Sequence, residues 1–186
     1  AVLSPAGGLK YFNATYKFQQ YFPLSKNTTI MFNTDLGYGK GLSCKKGTSN
    51  CYPFYKNFFM GGIGSVRGFD QGASGPSQID PVTNSSYSVG GNKMFNANIE
   101  FIAPFPGANN DKTLRLFAFL DAGNVYADSF SNYKPTSEDR MIRASAGVGL
   151  RWISPMGPLS LSFAHPFRKQ KTDKFQKFQF QIGASF

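Results

Sequence analysis

The chain has 186 residues, a formal charge of +10, 20 phenylalanines and a mean hydropathy of −0.29, a length that suits one domain. No run of about 18 apolar residues occurs, which excludes a transmembrane helix but leaves open a membrane barrel, whose alternating strands average to neutral hydropathy. The positive charge calls for an anionic partner, lipid phosphate as readily as nucleic acid.

The chain starts at Ala1 with no methionine and no signal-peptide pattern, as expected of a processed or excised piece. Residues 8–22 then alternate: Phe12, Ala14, Tyr16, Phe18 and Phe22 share one face, and Asn13, Thr15, Lys17 and Gln19 the other. That period of two predicts a strand, ended by Pro23 and a turn at 25–27. Residues 28–39 form a second, with Ile30, Phe32, Leu36 and Tyr38 opposite Asn33, Asp35, Gly37 and Gly39. A polar turn over 40–53 carries Cys44 and Cys51, as a local disulfide of an oxidising compartment or as two free thiols. A short aromatic strand is predicted over 54–62. A long loop rich in Gly, Ser, Pro, Asp and Asn follows over 65–89, a length that is functional or disordered when it has no structure of its own.

The fourth strand, 91–103, places Phe95, Ala97, Ile99 and Phe101 opposite Asn96, Asn98 and Glu100. In the fifth, 113–123, Leu114, Leu116, Ala118 and Leu120 oppose Arg115, Phe117, Phe119 and Asp121. After a polar loop over 124–140, the sixth, 141–153, turns Ile142, Ala144, Ala146, Val148, Leu150 and Trp152 one way and Arg143, Ser145, Gly147, Gly149 and Arg151 the other. A tight turn at 154–157 leads to a seventh strand with Leu159, Leu161 and Phe163 opposite Ser160 and Ser162. Then comes a basic turn, 168–174, and a last strand over 175–186 in which Phe178, Phe180, Ile182 and Phe186 alternate with Gln179, Gln181 and Gly183. About eight antiparallel strands and no helix pattern predict an all-β fold.

The polar faces decide between a soluble and a membrane sheet. They hold Gly, Ser, Asn and Gln with a few arginines and acids, which suits a crowded lumen. The opposite faces are Phe, Leu, Ile, Val and Ala, with Trp152, Tyr16 and Tyr38 read as girdle residues near strand ends; together they predict an antiparallel transmembrane β-barrel. Connections 64–90, 124–140 and 166–174 are expected at one, extracellular, end. Connections 40–53, 104–112 and 154–157 and the chain terminus are expected at the periplasmic end. Glu100 and Asp121 fall on lumen faces of neighbouring strands, within reach of Arg67 if the long loop folds inward; a guanidinium is suited to bridging two carboxylates. The alternative is three separate solvated charges.

Val66-Arg67-Gly68-Phe69 resembles the VRGF motif of the sixth extracellular loop in the BamA family of outer-membrane assembly factors. The resemblance extends through 53–59 with Gly61-Gly62, Gly90-Gly91-Asn92, Glu100-Phe101-Ile102, Asp121-Ala122-Gly123, 152–158 and Phe180-Gln181-Ile182-Gly183. It implies that this chain is the C-terminal half of a sixteen-stranded barrel whose POTRA domains lie outside it. It also implies an Arg67 contact with Glu100 and Asp121, and an inward kink of the last strand at Gly183. The cysteine pair departs from the family pattern.

The resemblance further implies insertion and folding of barrel proteins through an imperfect seam. An unpaired edge there templates a client strand. Implied partners are outer-membrane lipid, nascent outer-membrane barrel proteins and the accessory lipoproteins of the BAM complex, in the bacterial outer membrane. Arg168, Lys169, Lys171 and Lys174 in the basic turn are candidates for lipopolysaccharide phosphates, or a solvated loop. Nucleic acid is not expected, for want of a recognition module. Nor are catalysis, a cofactor or a metal: His165 is the only histidine, and no nucleophile motif, ligand spacing or phosphate loop accompanies it. Alternatives are a related two-partner secretion pore exporting polypeptides, a self-contained small structural barrel, or a soluble ligand-binding barrel.

Overall fold

The computed structural model describes residues 10–42, 52–107, 113–128, 138–155 and 157–183. Seven strands form one antiparallel sheet among them: β1 (Tyr11–Pro23), β2 (Thr29–Gly41), β6 (Lys93–Pro104), β7 (Leu114–Tyr126), β8 (Arg143–Ser154), β9 (Gly157–Arg168) and β11 (Phe178–Ile182), in that spatial order. Four short strands complete the set. β3 (Gly68–Phe69) pairs with β10 (Phe175–Gln176), and β4 (Ser77–Ile79) with β5 (Ser86–Ser88). The sheet does not close on itself. It is a partial barrel whose edges are β1 and β11.

The alternation places the faces as expected. Val148, Phe163 and Leu120 are exposed on the convex face, while Glu100 and Asp121 are 3% and 0% exposed on the concave one. Turn chemistry fixes the ends: Ser25 Oγ accepts from the N–H groups of Asn27 and Thr28 between β1 and β2, and Gly157, at φ +121°, starts β9. Pro166 sits inside β9 where the register shifts between Ala144 and Ser145. A proline without an N–H is accommodated at such a bulge.

Three expectations are corrected. Residues 54–62 are not a strand. Phe54–Lys56 form a 3-10 turn, and Phe58 and Met60 make only isolated bridges, to Gly91 and Ser74. The reason is across the sheet. Gly37 and Gly39 of β2 offer bare backbone, and a Cβ on either would lie 2.8 Å from the Phe58 ring or 2.4 Å from the Tyr52 ring. Tyr52 and Phe58 therefore rest on β2, while Phe54, Tyr55 and Phe59 are exposed.

Consequently β2 pairs directly with β6, and 42–92 is a single connection. Gly41, Lys93, Tyr126 and Arg168 all lie at one end of the sheet, since Gly41 opposes Tyr11, Lys93 opposes Tyr38 and Tyr126, and Arg168 opposes Ala144. Leu42 and Tyr52, the described residues on either side of the cysteine-bearing stretch, thus lie at the long-loop end, not the short-turn end. Cys44 and Cys51 themselves, and Phe186, lie outside the described residues. Lastly, Tyr16 stands opposite Leu36 in the middle of β1, not near its end.

Candidate functional site

Residues 52–92 fold into the concave face. Val66 and Phe69 are fully buried with Met60 and Val125, and Phe58 and Met94 pack against them. Gly61, Gly62, Gly64 and Gly68 all have positive φ, which lets the loop double back at its tip and lie flat on the wall.

This fold delivers Arg67 to its acids. Its Nε and Nη2 donate to Asp121 Oδ2 and Oδ1, each at 2.7 Å, its backbone N–H donates to Oδ2 at 3.0 Å, and its Nη1 donates to Glu100 Oε1 at 2.5 Å. The guanidinium carbon lies 3.6 Å from the centroid of the Phe119 ring. Phe119 can stand there because Gly147 beneath it has no side chain: a Cβ would lie 2.6 Å from the ring. Phe117 over Gly149 repeats the device, and Arg151 stacks on Phe117 at 5.0 Å while donating to Glu100 Oε2 at 3.3 Å. Charge, hydrogen bonds and ring faces converge in a partly desolvated space, where each is stronger than in water. Asn98 completes the set, donating to Asp121 Oδ1 at 2.9 Å and to the Ser65 carbonyl at 2.6 Å.

A second buried arginine was not singled out in the sequence. Arg143, with no exposed surface, donates to Asp173 at 2.8 Å, to Asn124 at 2.5 Å, to Gln170 at 2.9 Å and to the Gly75 carbonyl at 3.3 Å. Its only sequence mark is an aspartate inside an otherwise basic turn.

The remaining candidates lie apart from this cluster. Lys169, Lys171 and Lys174 are exposed at the long-loop end, and Arg168 is exposed at the end of β9. Phe178, Phe180 and Ile182 are exposed on the convex face of β11. Gly183 follows that strand at φ +91°, and its N–H donates to the Pro158 carbonyl at 2.8 Å. Between β1 and β11 the concave face lines an open cleft of about 620 Å³, bordered by Lys17, Asp35, Arg67, Glu100, Arg151 and Gln181.

The Omp85 superfamily domain matches residues 1–186. The chain is 37% identical over 201 residues to outer membrane protein assembly factor BamA of Neisseria meningitidis serogroup B, covering 98% of this chain and 25% of that protein. It is 29% identical to BamA of Nitratidesulfovibrio vulgaris, over 98% of this chain and 21% of that one. The crystal structure of BamA from Haemophilus ducreyi lacking POTRA domains 1–3 superposes with a TM-score of 0.77 at 33% identity, covering 92% of this chain and 34% of that chain. The chain thus spans about a quarter of the length of the curated relatives it matches.

Proposed function

Because the chain belongs to the Omp85 superfamily, we propose that it forms the C-terminal wall of a bacterial outer-membrane barrel that inserts and folds other barrel proteins. Its Arg67 loop holds the wall in shape, and its last strand is one side of a lateral seam. The observation that carries this reading is the pairing of two features in one sheet. A loop is clamped inside by Arg67 on Asp121 and Glu100, and a last strand of five residues pairs on one side only, with β9. A strand edge with free N–H and C=O groups is a template for an incoming strand. Gly183 follows β11 in the left-handed region, at φ +91°, the conformation that suits a kink at that position. The partners are outer-membrane lipid, nascent barrel proteins and accessory lipoproteins, with lipopolysaccharide phosphates on Lys169, Lys171 and Lys174.

The test is assembly of a barrel client by the full-length protein in proteoliposomes. Arg67→Ala is expected to slow assembly by roughly tenfold, the change that about 1.4 kcal/mol produces. Equal rates for variant and wild type would overturn the role of the clamp. Export of a soluble polypeptide with no client insertion would favour a secretion pore instead.

A further inference from the structure

The loop motif and the last strand are joined directly. Gly68 and Phe69 pair with Gln176 and Phe175, and Asp70 N–H donates to the Lys174 carbonyl at 3.0 Å. The rings of Phe69 and Phe175 pack with centroids 5.7 Å apart. Gln179, the first inward-facing residue of β11, is 2% exposed, and its Nε2 donates to the Phe69 carbonyl at 2.8 Å. The turn before it is held a second time: Arg143 binds Asp173 and Gln170 and, with the same guanidinium, the Gly75 carbonyl of the loop. By contrast β11 pairs with the wall only from Phe178 to Ile182, preceded by Ala164 N–H on the Lys177 carbonyl.

We infer that Gln179 is a positioning residue, with Asp173 in support, that couples the Arg67 clamp to the leading end of the last strand. Little slack exists between the two. Arg67 and Phe69 are separated only by Gly68, whose φ is +89° and where a Cβ would lie 3.0 Å from that of Ala164. The segment lies flat on β9 and is buried from Val66 to Phe69. A displacement of Arg67 from its acids therefore reaches the Phe69 carbonyl, and through Gln179 the start of β11. The loop motif sets where the strand beside the seam begins. This rests on reading β11 as one side of that seam.

The experiment is amide hydrogen exchange on the full-length protein in lipid nanodiscs without a client. In Gln179→Leu, and in Asp173→Asn, amides of 174–180 are expected to exchange faster by up to about tenfold, the effect of one lost buried hydrogen bond on a local opening. Peptides within 148–154, beyond the reach of Arg143, stay unchanged. In Arg67→Ala, 66–70 and 174–180 accelerate together. Phe69→Cys with Phe175→Cys, in protein whose Cys44 and Cys51 are serine, places two thiols at opposed positions of an antiparallel pair, within the span of a disulfide. Oxidation is expected to restore protection to Gln179→Leu, and reduction to remove it. Unchanged exchange at 174–180 would overturn the inference. So would a uniform rise across wall and last strand, or acceleration confined to 66–70 in Arg67→Ala. Since no client is present, a negative result here leaves the assembly reading standing, and a failed assembly assay leaves this link standing.

Discussion

Arg67 serves Asp121 through its backbone amide, Nε and Nη2, and Glu100 through Nη1. Removing it strands a fully buried carboxylate, a loss on the order of 3–5 kcal/mol. Arg67→Ala is accordingly expected to unfold at markedly lower urea concentration in detergent. Arg67→Lys should recover less than half of the difference, because a compact ammonium cannot reproduce the planar fork that reaches two acids. Gly149→Val tests the floor beneath the clamp. Its Cβ would lie 2.3 Å from Phe117 and 2.5 Å from the Leu161 carbonyl, and overpacking of this kind costs about 1–3 kcal/mol. At the long-loop end, partial burial works against the charge on Asp128, but hydrogen bonds from Lys93 and Asn92 and the Lys93 charge outweigh it and hold the carboxyl below its ordinary range. A lowered carboxyl contributes stability that is complete above its unfolded pKa and lost as pH falls through the folded one. Below about pH 4, the wild type should therefore lose slightly more stability than Asp128→Asn, read from unfolding midpoints in a pH series.

At the scale of elements, the decisive feature is how β2 receives the loop. Tyr52 and Phe58 rest on Gly39 and Gly37, and the Tyr52 hydroxyl accepts from Asn13 at 2.5 Å and donates to the Lys56 carbonyl at 3.0 Å. Replacing both glycines by valine leaves β2 a better strand by propensity but removes the bed. Limited proteolysis within 52–92 should then increase while the β7–β9 wall remains protected. The misread strand at 54–62 follows from the same fact. A short aromatic run matches a strand in any local window, and only the bare backbone on a segment distant in sequence shows that Phe58 rests on it. Arg143 escaped notice for a related reason. An arginine on the polar face of a strand has no local mark, and its partners Gly75, Asn124, Gln170 and Asp173 come from two connections and from β7.

For the whole molecule, the open edges matter most. β1 is exposed along nearly its whole length on both faces, and among the described residues neither β1 nor β11 has a second neighbour in the sheet. Two such edges are templates for pairing. Residues 1–186 expressed alone are expected to migrate in cold detergent gels as associated species, with no discrete heat-modifiable monomer. A sharp monomeric band that shifts on boiling would mark a self-contained barrel and count against a role as part of a larger wall.

The alternation of Phe, Leu and Ile with Gly, Ser and Asn settled the seven strands of the main sheet and their lipid and lumen faces without any coordinates, though not the stretch 54–62. The reason is that a pleated strand converts a period of two directly into two sides. The alternation also put Glu100 and Asp121 on the lumen side, and the family resemblance joined Arg67, on a loop, to them. Three things waited for the tertiary structure: that 52–92 folds inward, that glycines of β2 and β8 are seats for aromatic rings, and that the arginine motif is tied to the last strand. Each is a contact between segments far apart in the chain. Such contacts depend on which surfaces are left bare once the sheet has formed, and no local pattern of residues records that.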